Sequence, residues 1–194
     1  MCNNLIEVAG LQASYPGPGG KALEYPDFTL DKGSCLCLKG GTGCGKTTLL
    51  NALFGYTFKG RVKYRRALLE GKDIKAYGSQ LYRRVSYMPQ FSQNALNPSL
   101  NILQHARDMN VDMPAEELDE LLRHLKLERD ILGKYPGELS GGMKQRAVLL
   151  LGFLKKPILF VLDEPSTAID AVTLKLVLDF LIKKKREGTG LLMV

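Results

Sequence analysis

Apolar and polar positions change period along this chain, and the changes divide it into elements. Near the N-terminus the apolar runs are short. Residues 5–13, 28–30 and 61–64 read as strands, separated by Gly, Pro and Asp turns such as Pro16-Gly17-Pro18-Gly19-Gly20. Together they predict an antiparallel layer. Residues 34–38 read as a short buried strand, 47–54 as a helix, and 85–88 as a strand stopped by Pro89. From 101 to 129 the period becomes helical. Leu118, Leu121, Leu122 and Leu125 fall at i, i+3, i+4 and i+7, with Pro114 near the helix start. Residues 143–154 read as a helix with Ser140 as its N-cap, and Pro157 interrupts the pattern. A buried strand at 158–162 then ends in Asp163-Glu164-Pro165. A helix over 171–186 closes on Lys183–Arg186 before Gly188, where cations complement the helix dipole and Gly ends the turn. Residues 190–194 begin a last apolar strand. Strands alternating with helices predict an α/β fold with a mostly parallel sheet.

Composition narrows the function classes. The 194 residues are 45% hydrophobic and 24% charged, which suits one domain with a sizeable core. No run approaches the ~20 apolar residues of a membrane span. The N-terminus lacks a basic stretch leading into an apolar one, so no signal peptide is expected and the protein is expected in the cytoplasm. Cysteines 2, 35, 37 and 44 have neither disulfide-framework nor zinc spacing. Cys35 and Cys37 share one strand face, where they are expected as small buried apolar residues. The net charge of +7 is spread along the chain apart from Lys183–Arg186, so no nucleic-acid partner is expected. His105 and His124 lie away from every motif and are not expected to act as bases.

The first chemical motif is Gly40-Gly41-Thr42-Gly43-Cys44-Gly45-Lys46-Thr47-Thr48. It has the phosphate-binding pattern of two glycines five residues apart followed by Lys and Thr, between a predicted strand and a predicted helix. Glycines let backbone N–H groups converge on phosphate oxygens, and the helix adds its positive end. Lys46 is expected to reach the β- and γ-phosphates of ATP, and the Thr47 hydroxyl to ligate Mg²⁺. The second is the acidic pair that ends an apolar strand. Asp163 is expected to help hold the Mg²⁺, and Glu164 to polarise the attacking water as general base.

The third is Leu139-Ser140-Gly141-Gly142-Met143-Lys144-Gln145-Arg146. A hydroxyl, two glycines and a helix start in that order form an anion site. With the phosphate loop and acidic pair, this segment closely resembles the signature of the ATP-binding cassette (ABC) ATPases, and the resemblance covers nearly the whole chain. It implies the ABC ATPase fold: a P-loop core, an N-terminal antiparallel β subdomain, and an inserted helical subdomain at about 91–142 within a single domain. It implies further that Leu139–Met143 contact ATP held by a second copy or a paralogue. Tyr15 then matches the aromatic that stacks on adenine. Gln90 matches a residue that senses Mg²⁺ and the γ-phosphate, and Ala168-Ile169-Asp170 a loop that communicates across the dimer. In the family such a dimer drives transmembrane permease subunits from the inner face of the membrane, here docked at 90–129. Met143 replaces the usual Gln. Together with Leu96-Asn97-Pro98 it resembles ATPase subunits of dipeptide, oligopeptide and nickel importers. Subunits accompanying carbon–phosphorus lyase share this look, which leaves a soluble scaffold role as the alternative. ABC ATPases of DNA repair carry long inserts between these motifs, and the insert here is short. The family also places a switch histidine just after an apolar strand like 191–194, so a C-terminally incomplete domain is expected.

Overall fold

The structure is a computed structural model, and it describes residues 3–15, 22–55, 58–88, 95–109, 113–164 and 171–194. Its centre is a parallel sheet of β5 (Cys35–Cys37), β11 (Gly190–Met193), β10 (Leu159–Leu162) and β9 (Val85–Met88), in that order. Both faces of β10 are buried, and alternate residues feed two cores. Leu159 and Val161 pack with Leu49, Leu50 and Leu53 of α1 (Lys46–Phe54), while Phe160 and Leu162 pack with Leu149, Leu150 and Phe153 of α5 (Gly141–Leu154). A parallel strand covered on both sides needs a continuous apolar run, which Leu159-Phe160-Val161-Leu162 supplies.

The N-terminal half forms the antiparallel layer. One sheet pairs β4 (Phe28–Asp31), β1 (Asn4–Ala9), β7 (Arg66–Leu69) and β8 (Lys72–Asp73). Another pairs β3 (Ala22–Glu24), β2 (Gln12–Ser14) and β6 (Arg61–Lys63). The strand expected over 5–13 is therefore two strands. Gly10 separates them at φ 63, a left-handed backbone open to glycine, and its N–H donates to Asp27 Oδ1 at 2.8 Å. The break turns the chain from one sheet into the next. Downstream, a 3₁₀ stretch (Ile74–Gln80) and α2 (Leu81–Arg84) lead into β9.

The helical region expected over 101–129 divides into α3 (Ile102–Asp108) and α4 (Ala115–His124). Asn101 and Gln104 form a capping box on α3. Leu118, Leu121, Leu122 and Leu125 are all buried against α5, and each contributes about 1.5–3 kcal/mol by leaving water. The helix expected at 171–186 is present as α6 (Ala171–Arg186). Its last turn carries Lys183–Arg186, and the Gly188 N–H returns to the Lys185 carbonyl at 3.0 Å.

One expectation is corrected. Cys35 and Cys37 are exposed, not buried. They stand on β5, an edge strand of the described parallel sheet, and only Leu36 of that strand turns into the core. Alternation placed the two thiols on one face as expected, but the strand's position at the edge leaves that face open.

Candidate functional site

The loop from β5 to α1 arrives at the carboxyl edge of the parallel sheet, where ligands bind in open α/β sheets. Gly45 closes it as the N-cap of α1, at φ 98. A side chain there would be strained twice: by the backbone, and by Leu23 Cδ1 at 2.9 Å and Tyr25 Oη at 3.0 Å from the position of a Cβ. The Tyr25 hydroxyl donates to the Gly45 carbonyl at 3.0 Å. Burial first, then the neighbouring Tyr15 and Cys44, push its ionisation up to about 12, so it stays a neutral donor. Gly41 and Gly43 differ from Gly45. Among the described residues nothing lies within 4 Å of where their side chains would project, so this rim is open to a ligand.

Lys46 and its neighbours complete the loop. The Lys46 ammonium donates to the Gly40 and Gly41 carbonyls at 2.8 and 3.0 Å, which folds it over the loop mouth. Cys44 Sγ lies 3.8 Å from the same nitrogen. Thr48 Oγ1 lies 2.7 Å from the Tyr15 hydroxyl, and the Tyr15 and Phe58 rings meet in a T shape with centres 5.3 Å apart. Tyr15 is nevertheless 52% exposed. The structure thus sets an open aromatic face beside the first turn of α1.

The Thr47 hydroxyl donates to Asp163 Oδ1 at 3.2 Å, across 116 residues of sequence. Asp163 is 2% exposed, and its other oxygen accepts from the Tyr87 hydroxyl at 3.2 Å. Its backbone N–H bonds the Met88 carbonyl at 2.9 Å, which continues the β9–β10 ladder one residue past the strand. A buried carboxylate and a threonine hydroxyl meeting at a phosphate-type loop form a hard-oxygen donor pair that suits Mg²⁺. Sequence reasoning missed Tyr87 and Tyr25. The available signal for Tyr87 was a polar tip in an apolar strand, pairing with Val161 two residues before Asp163. Glu164 follows at φ 48, left-handed for a residue with a side chain, with its N–H on the Val194 carbonyl at 3.1 Å. That conformation costs on the order of 1 kcal/mol and turns an exposed carboxylate out at the sheet edge.

The signature segment lies elsewhere on the chain. Ser140 is the N-cap of α5, as expected, and accepts from the Met143 N–H at 3.2 Å. Leu139 is buried in the helical core, Met143 packs against it, and Ser140, Gly141 and Gly142 are exposed. No described atom lies within 4 Å of where a Gly142 side chain would project. Gln90 and Ala168-Ile169-Asp170 fall outside the described residues.

The family profile of the ABC transporters matches residues 23–167. The chain belongs to the ABC transporter family. Dipeptide transport ATP-binding protein DppD of Caldanaerobacter subterraneus is 29% identical over 94% of this chain and 61% of its own length. Aliphatic sulfonates import ATP-binding protein SsuB of Bacillus licheniformis is 34% identical over 85% of this chain and 62% of its own. The chain therefore spans about three fifths of the length of these ABC relatives. A solved ATP-binding subunit of an ABC transporter superposes with a TM-score of 0.78 at 26% identity, covering 97% of this chain and 78% of that one. The α/β architecture with an antiparallel layer and helices is the ABC ATPase fold.

A groove of about 370 Å³ lies between α5, α3 and the outer strand β9, lined by Met88, Leu96, Met109, Leu149 and Phe153 among others. Lys155 enters it at the end of α5. Its ammonium donates to the Val85 carbonyl at 3.1 Å and sits 3.9 Å over the Tyr82 ring. Loss of hydration brings its pKa down to about 8. The fold therefore disfavours the charged form, and stability gained by neutralising it appears as pH rises from about 8 toward the unfolded value of 10.5. Lys155→Met is expected to stabilise the chain at pH 7 by on the order of 1 kcal/mol and to flatten the rise between pH 8 and 10. Urea denaturation midpoints across that range check both effects; a variant less stable than the parent at pH 7 would contradict the sign.

Proposed function

We propose that this chain is the nucleotide-binding subunit of an ABC transporter and couples ATP binding and hydrolysis to movement of a peptide- or nickel-type substrate by membrane partners. The observation that carries the proposal is the meeting of Thr47 and buried Asp163 beside the phosphate-type loop, on a chain whose glycine-rich signature faces outward. The names of relatives that transport dipeptides and oligopeptides support the substrate class.

In this reading the loop from Gly40 to Thr48 cradles the phosphates, and Lys46 exchanges its loop carbonyls for β- and γ-phosphate oxygens. Tyr15 offers its exposed face to adenine. Thr47 and Asp163, with Gln90, would hold Mg²⁺, which when bound neutralises charge on the phosphates. Glu164 positions and deprotonates the attacking water. Leu139–Met143 of a second subunit, identical or a paralogue, close over the γ-phosphate. There the Ser140 hydroxyl, the bare glycines and the N-terminus of α5 oppose the developing charge. Ala168-Ile169-Asp170 would carry cross-talk between the two halves.

The membrane partner docks on the helical region at 90–129. Among the described residues no helix is long and apolar enough to cross a membrane. The test is co-purification from native membranes. A tagged chain should bring down hydrophobic permease subunits and release them on detergent exchange. Recovery wholly in the soluble fraction with cytosolic proteins would overturn the transport assignment.

A further inference from the structure

A histidine that the nucleotide chemistry does not use holds the connection into the helical layer. His105, in α3, accepts the Asn97 backbone N–H at Nε2, 2.8 Å away. Its Nδ1 lies 2.8 Å from the Asn101 carbonyl, which can only accept. One tautomer satisfies both contacts: the proton on Nδ1, a bare Nε2 and a neutral ring. Asn97 is the hub of the turn that His105 grips. Its Oδ1 accepts from the Ser99 N–H at 3.0 Å, and its carbonyl from the Leu100 N–H at 3.2 Å. Leu96 beside it is buried in the helical core. Asn101, on the other side of the ring, is fixed by the capping box with Gln104. His105 lines the groove beside β9, which among the described residues is also lined by the titratable Tyr82, Tyr87, Asp108 and Lys155.

We propose that His105 is a proton-sensitive positioning residue that latches the Leu96-Asn97-Pro98 turn onto the start of α3. A second proton on Nε2 sets N–H against N–H, and the bond to Asn97 is lost. The latch is therefore closed while the ring is neutral and opens when it takes the second proton. Opening frees the Leu96-Asn97-Pro98 turn from the start of α3. The latch does not rest on the function proposed above.

The experiment is pH-resolved NMR of the chain, with the Asn97 amide protection factor followed beside the His105 imidazole nitrogen shifts. Asn97 protection should fall about tenfold across the pH range in which the His105 nitrogen shifts report the second proton. In His105→Gln, whose amide has no proton to gain, Asn97 protection should not depend on pH over this range. Constant protection in the parent, a midpoint that departs from His105, or the same loss in His105→Gln would each overturn the latch. None of these outcomes touches nucleotide binding, so failure of the latch is distinguishable from failure of the functional reading.

Discussion

Lys46→Ala is expected to weaken ATP binding by about 10- to 100-fold, the worth of one charge-assisted contact to phosphate. The side chain is part-exposed, and the oxygens it bonds in the structure are loop carbonyls, Gly40 and Gly41. Its loss removes no core contact, and the fold should survive intact. Lys46→Arg is not a neutral control. Its planar fork cannot take the place of a compact ammonium that bonds the Gly40 and Gly41 carbonyls together, so it too should bind weakly. Calorimetric titration with Mg-ATP, beside thermal unfolding of each variant, checks the pair of expectations. Wild-type affinity in Lys46→Ala would remove the loop from the phosphate role.

Glu164→Gln has the larger expected effect, a fall of about 10²–10⁴-fold in phosphate release with ATP affinity unchanged. Glutamine keeps the shape and exposure of the side chain and removes the base. Glu164→Gly separates the base from the backbone. Glycine relieves the left-handed strain at φ 48, so this variant should unfold at higher urea, by about 1 kcal/mol, while hydrolysing as poorly as Glu164→Gln. Both results together would mark a residue held where it stands for chemistry at a cost in stability. Equal hydrolysis in the parent and Glu164→Gln would assign the base elsewhere.

Local pattern and motif made much of this legible. Thr47 and Asp163 were paired from chemistry alone, and the structure brings their oxygens within 3.2 Å. Ser140 read as an N-cap and is one, because a hydroxyl three residues before a free N–H needs no tertiary help. What the sequence hid depends on contacts distant in the chain. Tyr87 reaches Asp163 only because β9 and β10 lie side by side, and Tyr25 meets Gly45 from a different layer. Strands β3, β7 and β8 are two to four residues long, too short to show a period. The exposure of Cys35 and Cys37 follows from strand order, which alternation within one strand does not encode. His105 looked idle in sequence because its partner is a backbone N–H eight residues earlier.

The central claim is that the phosphate loop of one subunit is completed by the signature of another. Its most direct test is sedimentation equilibrium of the Glu164→Gln chain with Mg-ATP, with and without Gly141→Asp. ATP should drive Glu164→Gln into a dimer. Adding Gly141→Asp, which sets a carboxylate against the partner's γ-phosphate, should return it to monomer with ATP still bound. A monomer at saturating ATP, or a dimer indifferent to Gly141, would contradict the claim.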